Sequence, residues 1–117
     1  MRTHRDLDLW KRSMGFVETI YRVTACFPPE EIYGLTSQLR RAAVSVPSNI
    51  AEGSARDGEK EFVRFLYMAL GSLAELETQI ILSGNLGYLK DTKALLDELS
   101  DLKKMTNGLI RHLKKRR

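Results

Sequence analysis

Basic residues are concentrated at the C-terminal end of this 117-residue chain. Residues 103–117 contain seven Lys or Arg and no Asp or Glu, whereas residues 1–102 contain 12 Lys or Arg and all 15 Asp and Glu. Such a cluster contacts phosphate groups, so it predicts salt-sensitive binding to nucleic acid that is indifferent to base sequence. The candidate residues are Lys103, Lys104, Arg111, Lys114, Lys115, Arg116 and Arg117, with Arg2, Arg5, Lys11 and Arg12 as further sources of positive charge.

The last seven residues also have a simpler interpretation. Basic side chains in the last turn of a helix complement the negative end of the helix dipole. Residues 111–117 are therefore also typical of a frayed, solvated helix end. This basic tail contains no aromatic residue to stack on bases, so any binding by the tail itself should be electrostatic.

A second group of candidates consists of polar side chains set among apolar ones. Its members are Arg40, Arg41, Asn49, Glu52, Ser72, Glu75 and Gln79. A buried Glu52 or Glu75 needs a cationic partner, such as one of the two arginines. The group therefore predicts a structural polar network between helices or between subunits. A ligand site and simple solvent exposure are the alternatives.

The sequence lacks the residue patterns of an active site or a metal site. Its only histidines, His4 and His112, lie near opposite ends of the chain, and Cys26 is its only cysteine. It contains no Glu-x-x-His pair, no cysteine cluster, no Gly-x-Ser-x-Gly elbow and no Gly-rich phosphate loop. We therefore expect no enzyme, no cofactor and no metal, with Cys26 as a small buried hydrophobic residue.

Four segments with helical periodicity must position these residues. They span residues 7–26, 30–52, 57–83 and 91–113. Apolar residues recur in each segment at spacings of three and four, and none alternates as a strand does. Short connections make sequential helices antiparallel neighbours. The sequence therefore predicts an all-α, up-down-up-down four-helix bundle in a single domain over residues 1–117, ending in the basic tail.

The first segment is more apolar than a surface helix requires. One stripe consists of Leu7, Trp10, Met14, Val17 and Tyr21, and a second consists of Phe16, Ile20 and Val23. A surface helix needs only one such stripe to face the core. The surplus therefore predicts a subunit interface. Its expected aromatic residues are Phe16, Tyr21, Phe65 and Tyr67.

The other segments each carry one main stripe. In the second, Pro47 removes a backbone donor, so the helix should kink or break there, and Gly53 should cap its C-terminus. The third has a heptad seam, which consists of Phe62, Phe65, Leu66, Ala69, Leu73, Leu76 and Ile80. The stripe of the fourth consists of Leu95, Leu99, Leu102, Met105 or Thr106, Leu109 and Leu113.

The chain has neither a membrane-span pattern nor a signal-peptide pattern. No apolar run approaches the ~18 residues that a membrane span requires. The N-terminal residues are charged and lack the apolar stretch of a signal peptide. We therefore expect a cytoplasmic protein that does not contact a membrane.

Two stretches of the chain resemble the motifs of a known family. Residues 38–53 read QLRRAAVSVPSNIAEG, and residues 65–79 read FLYMALGSLAELETQ. Together with the tripeptides at 9–11 and 87–89, they are similar to the bacterial four-helix bundle family named for the 23S rRNA intervening-sequence proteins. The resemblance covers residues 6–113, and the end of the basic tail lies beyond the shared motifs.

The resemblance implies a four-helix bundle that assembles into a homopentamer. The accessory variability protein of diversity-generating retroelements is similar as well, and this kinship implies binding to nucleic acid and to a reverse transcriptase. The expected function is a non-enzymatic oligomeric bundle that binds rRNA, other RNA or DNA through its basic residues. The alternative is a structural scaffold for a protein, such as a reverse transcriptase or a ribosomal partner, without direct contact to nucleic acid.

Overall fold

The computed structural model describes residues 3–4 and 7–116, which fold into four α-helices. The helices are α1 (Asp8–Thr24), α2 (Leu35–Ala55), α3 (Glu59–Asn85) and α4 (Lys93–Lys115). A 3-10 turn, Pro29–Glu31, lies in the connection between α1 and α2. Within the described ranges no residue belongs to a β-strand. The predicted all-α class is therefore confirmed.

The helices pack in the order in which they occur along the chain. α1 packs on α2, α2 on α3 and α3 on α4, and a smaller contact between α1 and α4 closes the bundle. The contact between α2 and α3 is the most extensive. The bundle measures 46 × 22 × 19 Å, so its long axis follows the helices. This arrangement confirms the predicted four-helix bundle, with α1 diagonally opposite α3 and α2 diagonally opposite α4.

The core consists of one stripe from each helix. In α3 the predicted seam is confirmed, because Leu66, Ala69, Leu73, Leu76 and Ile80 are completely buried. In α4 the core positions include Thr106 and Ile110, whereas Met105 and Leu109 are only partly buried. The buried hydroxyl of Thr106 donates to the carbonyl oxygen of Leu102 at 2.7 Å, so it carries no unpaired donor.

α1 buries the second of its two predicted stripes. Its buried residues are Leu9, Ser13, Phe16, Ile20 and Thr24. In the first stripe, Met14 remains 39% exposed and Tyr21 44% exposed. The prediction that Phe16 and Phe65 contribute to a subunit interface is wrong, because both rings are buried within the single chain.

α2 is longer at its C-terminus than the sequence predicts. It runs through Pro47 without a break and ends at Ala55, so Gly53 is not its C-cap. Gly53 is instead buried against α3. A Cβ atom at this position would lie 2.6 Å from Cβ of Phe65 and 3.1 Å from Cδ1 of Phe62. Glycine is required here because the two helices approach each other too closely for a side chain.

Cys26 is exposed, so the prediction of a buried cysteine is wrong. It follows the last residue of α1, and the buried positions around this turn belong to Thr24 and Phe27.

A small cluster connects the two loops at this end of the bundle. The rings of Phe27 and Tyr88 lie 5.4 Å apart, centre to centre. The hydroxyl of Tyr88 donates to Oε2 of Glu31 at 2.9 Å, and the backbone N–H of Leu35 donates to Oε1 of the same carboxylate at 3.0 Å. Glu31 therefore joins the start of α2 to the loop that precedes α4.

α3 is long and apolar enough to cross a membrane, judged by its length and its mean hydropathy of 1.3 over 18 residues. The central helix of a compact bundle meets the same criterion. α3 packs on α2 along one side and on α4 along another, as such a helix does. Its composition is therefore accounted for by its place in a compact helical globule.

We expect Gly53→Ala to lower the free energy of unfolding by about 1–3 kcal/mol, because its methyl group would overlap the aromatic residues of α3. Urea denaturation followed by circular dichroism measures this change. The control is Gly15→Ala in α1, where an added Cβ meets nothing within 4 Å. This control should raise stability by about 0.5–1 kcal/mol. Similar effects of the two variants would contradict the close approach of α2 and α3.

The Glu31 carboxylate should make part of the stability dependent on pH. Its pKa is lowered, first by the hydrogen bond from Leu35 N–H and then by the bond from Tyr88. A carboxyl group with a lower pKa in the folded state stabilises the fold above its unfolded value of about 4.5, and this contribution is lost as pH falls through the folded pKa. On acidification we therefore expect Glu31→Gln to lose less stability than the wild type.

Denaturant titrations at neutral pH and at several values below about pH 4.5 test this expectation. Glu30→Gln is the matched control, because it removes an exposed carboxylate from the same turn. An identical pH profile for wild type and Glu31→Gln would show that the hydrogen bonds of Glu31 do not stabilise the fold.

Candidate nucleic-acid interface and polar groove

Most of the basic tail is part of α4. The helix continues to Lys115, so residues 111–115 are helical rather than frayed. Arg116 follows directly as the C-cap residue. Arg2, Arg5 and Arg117 lie outside the described residues. The tail therefore presents its side chains at fixed angles around a helix axis.

Two of the predicted binding residues form ion pairs with α3. Nζ of Lys103 lies 2.9 Å from Oε1 of Glu77, and Nε of Arg116 lies 3.3 Å from Oε1 of Glu59. Ion pairs at the surface contribute little to stability, but each places an acidic group beside the cation. Lys103 and Arg116 are therefore less available to an external phosphate than their sequence suggests.

Lys11 of α1 is exposed and has no ion pair or side-chain hydrogen bond in the described part of the chain, and the same holds for three other predicted residues, all in α4. These are Lys104, Arg111 and Lys115, and all three are exposed. They are separated by seven and then four residues, so they lie on one face of α4. With a rise of 1.5 Å per residue, they span about 16 Å along the helix. We call this set the basic stripe.

Towards the start of α4, acidic residues neutralise the nearby cations. Nζ of Lys93 lies 2.7 Å from Oδ2 of Asp97. Asp97 is seven residues before Lys104 and so lies on the same face of α4 as the basic stripe. Arg12 of α1 pairs with Glu98 at 2.9 Å and with Asp101 at 3.4 Å. The hydrogen bond from its guanidinium to Glu98 raises the pKa of Arg12. Arg12 therefore connects α1 to α4 and is not a free cation.

An aromatic residue of α3 lies beside the tail. Tyr67 is 50% exposed, and Nζ of Lys114 donates to its hydroxyl at 3.0 Å while lying 5.2 Å from the ring centre. The sequence analysis placed Tyr67 in a subunit interface and not beside the tail, because only the packing of α3 on α4 brings positions 67 and 114 together. One signal in the sequence was available. Tyr67 lies outside the heptad seam of α3, and an aromatic ring outside the seam points to solvent.

Four members of the predicted polar network line a groove between α2 and α3. The groove has a volume of about 550 Å³ and is lined by Gln38, Arg41, Ala42, Ser45, Ser72, Glu75 and Gln79. The hydroxyls of Ser45 and Ser72 hydrogen-bond to each other across the two helices. Oε1 of Gln79 is buried and accepts no hydrogen bond from the described residues.

Arg40 faces α1 rather than the groove. Its Nε donates to Oγ1 of Thr24 at 2.9 Å, and its Nη2 donates to the carbonyl oxygen of Tyr21 at 3.3 Å. Its guanidinium also lies 4.6 Å from the centre of the Tyr21 ring. Arg40 therefore binds the C-terminal end of α1, where the helix dipole favours a cation.

The remaining members are satisfied locally or exposed. Nδ2 of Asn49 donates to the carbonyl oxygen of Ser45 in the same helix at 2.8 Å. Glu52 pairs with Arg56, also in α2, at 2.7 Å. Glu52 and Glu75 are both exposed, so neither requires a buried cation. The structure thus places the seven residues at the α1–α2 contact, in the α2–α3 groove and on the surface.

An apolar band runs along the contact between α1 and α2. It consists of Trp10, Met14, Val17, Tyr21, Ile32, Val44 and Pro47. Two shallow hollows lie along it. The larger, of about 730 Å³, is also lined by two arginines and four hydroxyl side chains, whereas the smaller, of about 330 Å³, is mainly apolar. The band contains four of the five residues of the first predicted stripe of α1, which is the stripe that the structure leaves outside the fully buried core.

The described residues contain no group of three His, Cys, Asp or Glu side chains close enough to hold a metal ion. A comparison with protein families shows which family the chain belongs to. Residues 5–108 match the 23S rRNA-intervening sequence protein family. The chain belongs to this family. A search of the curated proteins finds no match.

Membership in this family has two consequences for the site. Neither the family nor its helical fold is known for enzymatic activity. The match also ends at residue 108, so it covers Lys104 but not Arg111 or Lys115. Arg111 and Lys115 therefore lie outside the part of the chain that matches the family.

Proposed function

We propose that the protein is a non-enzymatic, oligomeric helical bundle of the cytoplasm that binds RNA or DNA through the basic stripe. The observation that carries the proposal is the position of Lys104, Arg111 and Lys115 on one exposed face without acidic partners. The body of the chain is mildly acidic, so this face stands out from its surroundings. Lysine and arginine at such a face contact phosphates and provide affinity without base specificity.

Self-association increases the effect of a short stripe. Three phosphate contacts bind weakly, but copies of the stripe on one assembly engage the same strand at a high effective concentration. Two apolar surfaces support self-association. One is the apolar band, and the other is a patch at the C-terminal end of α3 that consists of Ile81, Leu82 and Leu86.

A cyclic pentamer requires two different surfaces on each subunit, because each contact in a ring of five joins one patch to another. The apolar band and the α3 patch meet this requirement. In a two-fold dimer a single patch contacts its own copy, whereas in a ring two different patches of each subunit are used. The two surfaces are compatible with a ring, and the number five is what the family resemblance implies, so a homopentamer is the assembly that we propose.

The second candidate function is a structural scaffold for a protein partner, such as a reverse transcriptase or a ribosomal partner. The apolar band favours it, since exposed apolar surface of this kind marks protein contacts. It differs from the first proposal because it requires no affinity for nucleic acid. Binding measurements on the basic stripe therefore discriminate between the two.

The nucleic-acid proposal is tested with the triple variant Lys104→Gln, Arg111→Gln, Lys115→Gln. We expect binding to oligonucleotides at low salt to weaken, and the slope of log K against log salt to fall by roughly 0.7–0.9 for each lost phosphate contact. Fluorescence anisotropy over a salt series measures both. The matched control is Arg22→Gln, Lys90→Gln, Lys93→Gln, which removes the same charge from the opposite end of the bundle.

An unchanged affinity of the control would assign the effect to the basic stripe rather than to net charge. Equal weakening by both triple variants would contradict a defined interface. Absence of binding by the wild type at low salt would leave the scaffold as the function.

The pentamer proposal is tested with Val44→Glu in the apolar band. A charge at this half-exposed position should cost much more between subunits than in the monomer, because a buried unpaired carboxylate is strongly unfavourable. We expect light scattering to show five times the 13.4 kDa chain mass for the wild type and a shift to one chain mass for the variant. Val44→Thr, which keeps the shape without a charge, should remain assembled. A wild type that is monomeric at micromolar concentration would refute the proposal.

A further inference from the structure

We infer that the interface binds unpaired nucleotides and stacks a base on the exposed ring of Tyr67. This inference rests on the proposed function and specifies its ligand as single-stranded nucleic acid. The ring is 50% exposed and lies at the α3–α4 contact. Its hydroxyl accepts a hydrogen bond of 3.0 Å from Lys114. That bond fixes the ring beside α4, the helix that carries the basic stripe.

The ring of Tyr67 has an open side. Side chains in a helix lean towards its N-terminus, so the residue that would cover Tyr67 is the one four positions later. That residue is Gly71, and even an added Cβ there would meet nothing within 4 Å. The missing side chain leaves room for a flat group against the ring.

Positive charge surrounds the ring on α3 as well as on α4. Lys60 lies seven residues before Tyr67 on the same side of α3, and it is exposed and has no ion pair among the described residues. Arg64, three residues before Tyr67, is also exposed, but it pairs with Glu61 at 3.1 Å. The guanidinium of Arg64 is held 4.7 Å from the centre of the Phe65 ring. An exposed aromatic ring flanked by cations is the arrangement with which proteins bind single strands, since the bases stack while the cations follow the backbone.

A duplex does not offer this contact. Its bases are stacked on one another and paired, so a ring on a convex helix surface cannot reach a base face. The phosphates of a duplex can still reach the basic stripe. Tyr67 should therefore affect single-stranded ligands selectively, whereas the basic stripe should affect both kinds.

The test compares a short single-stranded oligoribonucleotide with the duplex of the same sequence, by fluorescence anisotropy at low salt. Base stacking contributes about 1–3 kcal/mol by substitution, so Tyr67→Leu should weaken single-strand binding roughly 5- to 150-fold and leave duplex binding unchanged. Tyr67→Phe keeps the ring but loses the hydrogen bond from Lys114, so it should bind single strands more tightly than Tyr67→Leu. Tyr33→Leu is the control, because Tyr33 is 94% exposed but lies in the loop beside two glutamates.

A second variant avoids any effect of losing the tyrosine. Gly71→Leu leaves Tyr67 in place but covers its open side, so it should weaken single-strand binding and spare the duplex. Unchanged single-strand binding by Tyr67→Leu and Gly71→Leu would overturn the inference, while the basic-stripe variant would still test the proposed function. Equal weakening of both ligands, or dissociation of the assembly in light scattering, would assign Tyr67 a structural role or a place between subunits and would also overturn it.

Discussion

Burial of the α3 seam determines the positions of the other helices. The seam is completely buried from Leu66 to Ile80, and α2 and α4 pack along this helix on two sides. On the α2 side the approach is so close that position 53 has no room for a Cβ atom. Because α3 is packed in this way against two helices, it has little freedom to rotate about its own axis. The outward positions of α3, including Tyr67, are fixed for the same reason.

The basic stripe follows from a related constraint on α4. This helix buries Leu95, Leu99, Leu102, Thr106, Ile110 and Leu113, and it has no second apolar stripe. Once that face is in the core, residues at 104, 111 and 115 must point away from it. The exposure of the stripe is therefore a consequence of packing rather than of local charge repulsion. The cations of the basic stripe form no ion pair with the glutamates of α3, in contrast to Lys103 and Arg116.

The sequence could predict the four helices, because their apolar periodicity is strong and their loops are short. It could not predict which stripe of α1 faces the core, since the two stripes are similar in hydrophobicity. The buried face includes Ser13 and Thr24, and it is tolerated because both hydroxyls donate to carbonyl oxygens of the preceding turn at 2.9 and 2.7 Å. A hydropathy pattern counts these residues as polar and so underestimates the tendency of that face to be buried.

Contacts between distant residues were beyond prediction for a different reason. The glycine at 53 has the sequence context of a helix end, and only the packing of α2 on α3 shows that it is needed inside the helix. The pairing of Lys114 with Tyr67 likewise depends on the register of α3 against α4, which periodicity does not specify. The candidate residues of the tail could be named from their type alone. Their division into paired and free cations required the structure.

The two surfaces with proposed roles are compatible because they lie on opposite sides of the bundle. The helices follow one another around the bundle, so the contact between α1 and α2 is opposite the contact between α3 and α4. The apolar band lies at the first contact, and Tyr67 with Lys114 lies at the second. Burial of the apolar band therefore leaves the basic stripe and the tyrosine open to a nucleic acid. The α3 patch begins at Ile81, about 21 Å further along α3 than Tyr67.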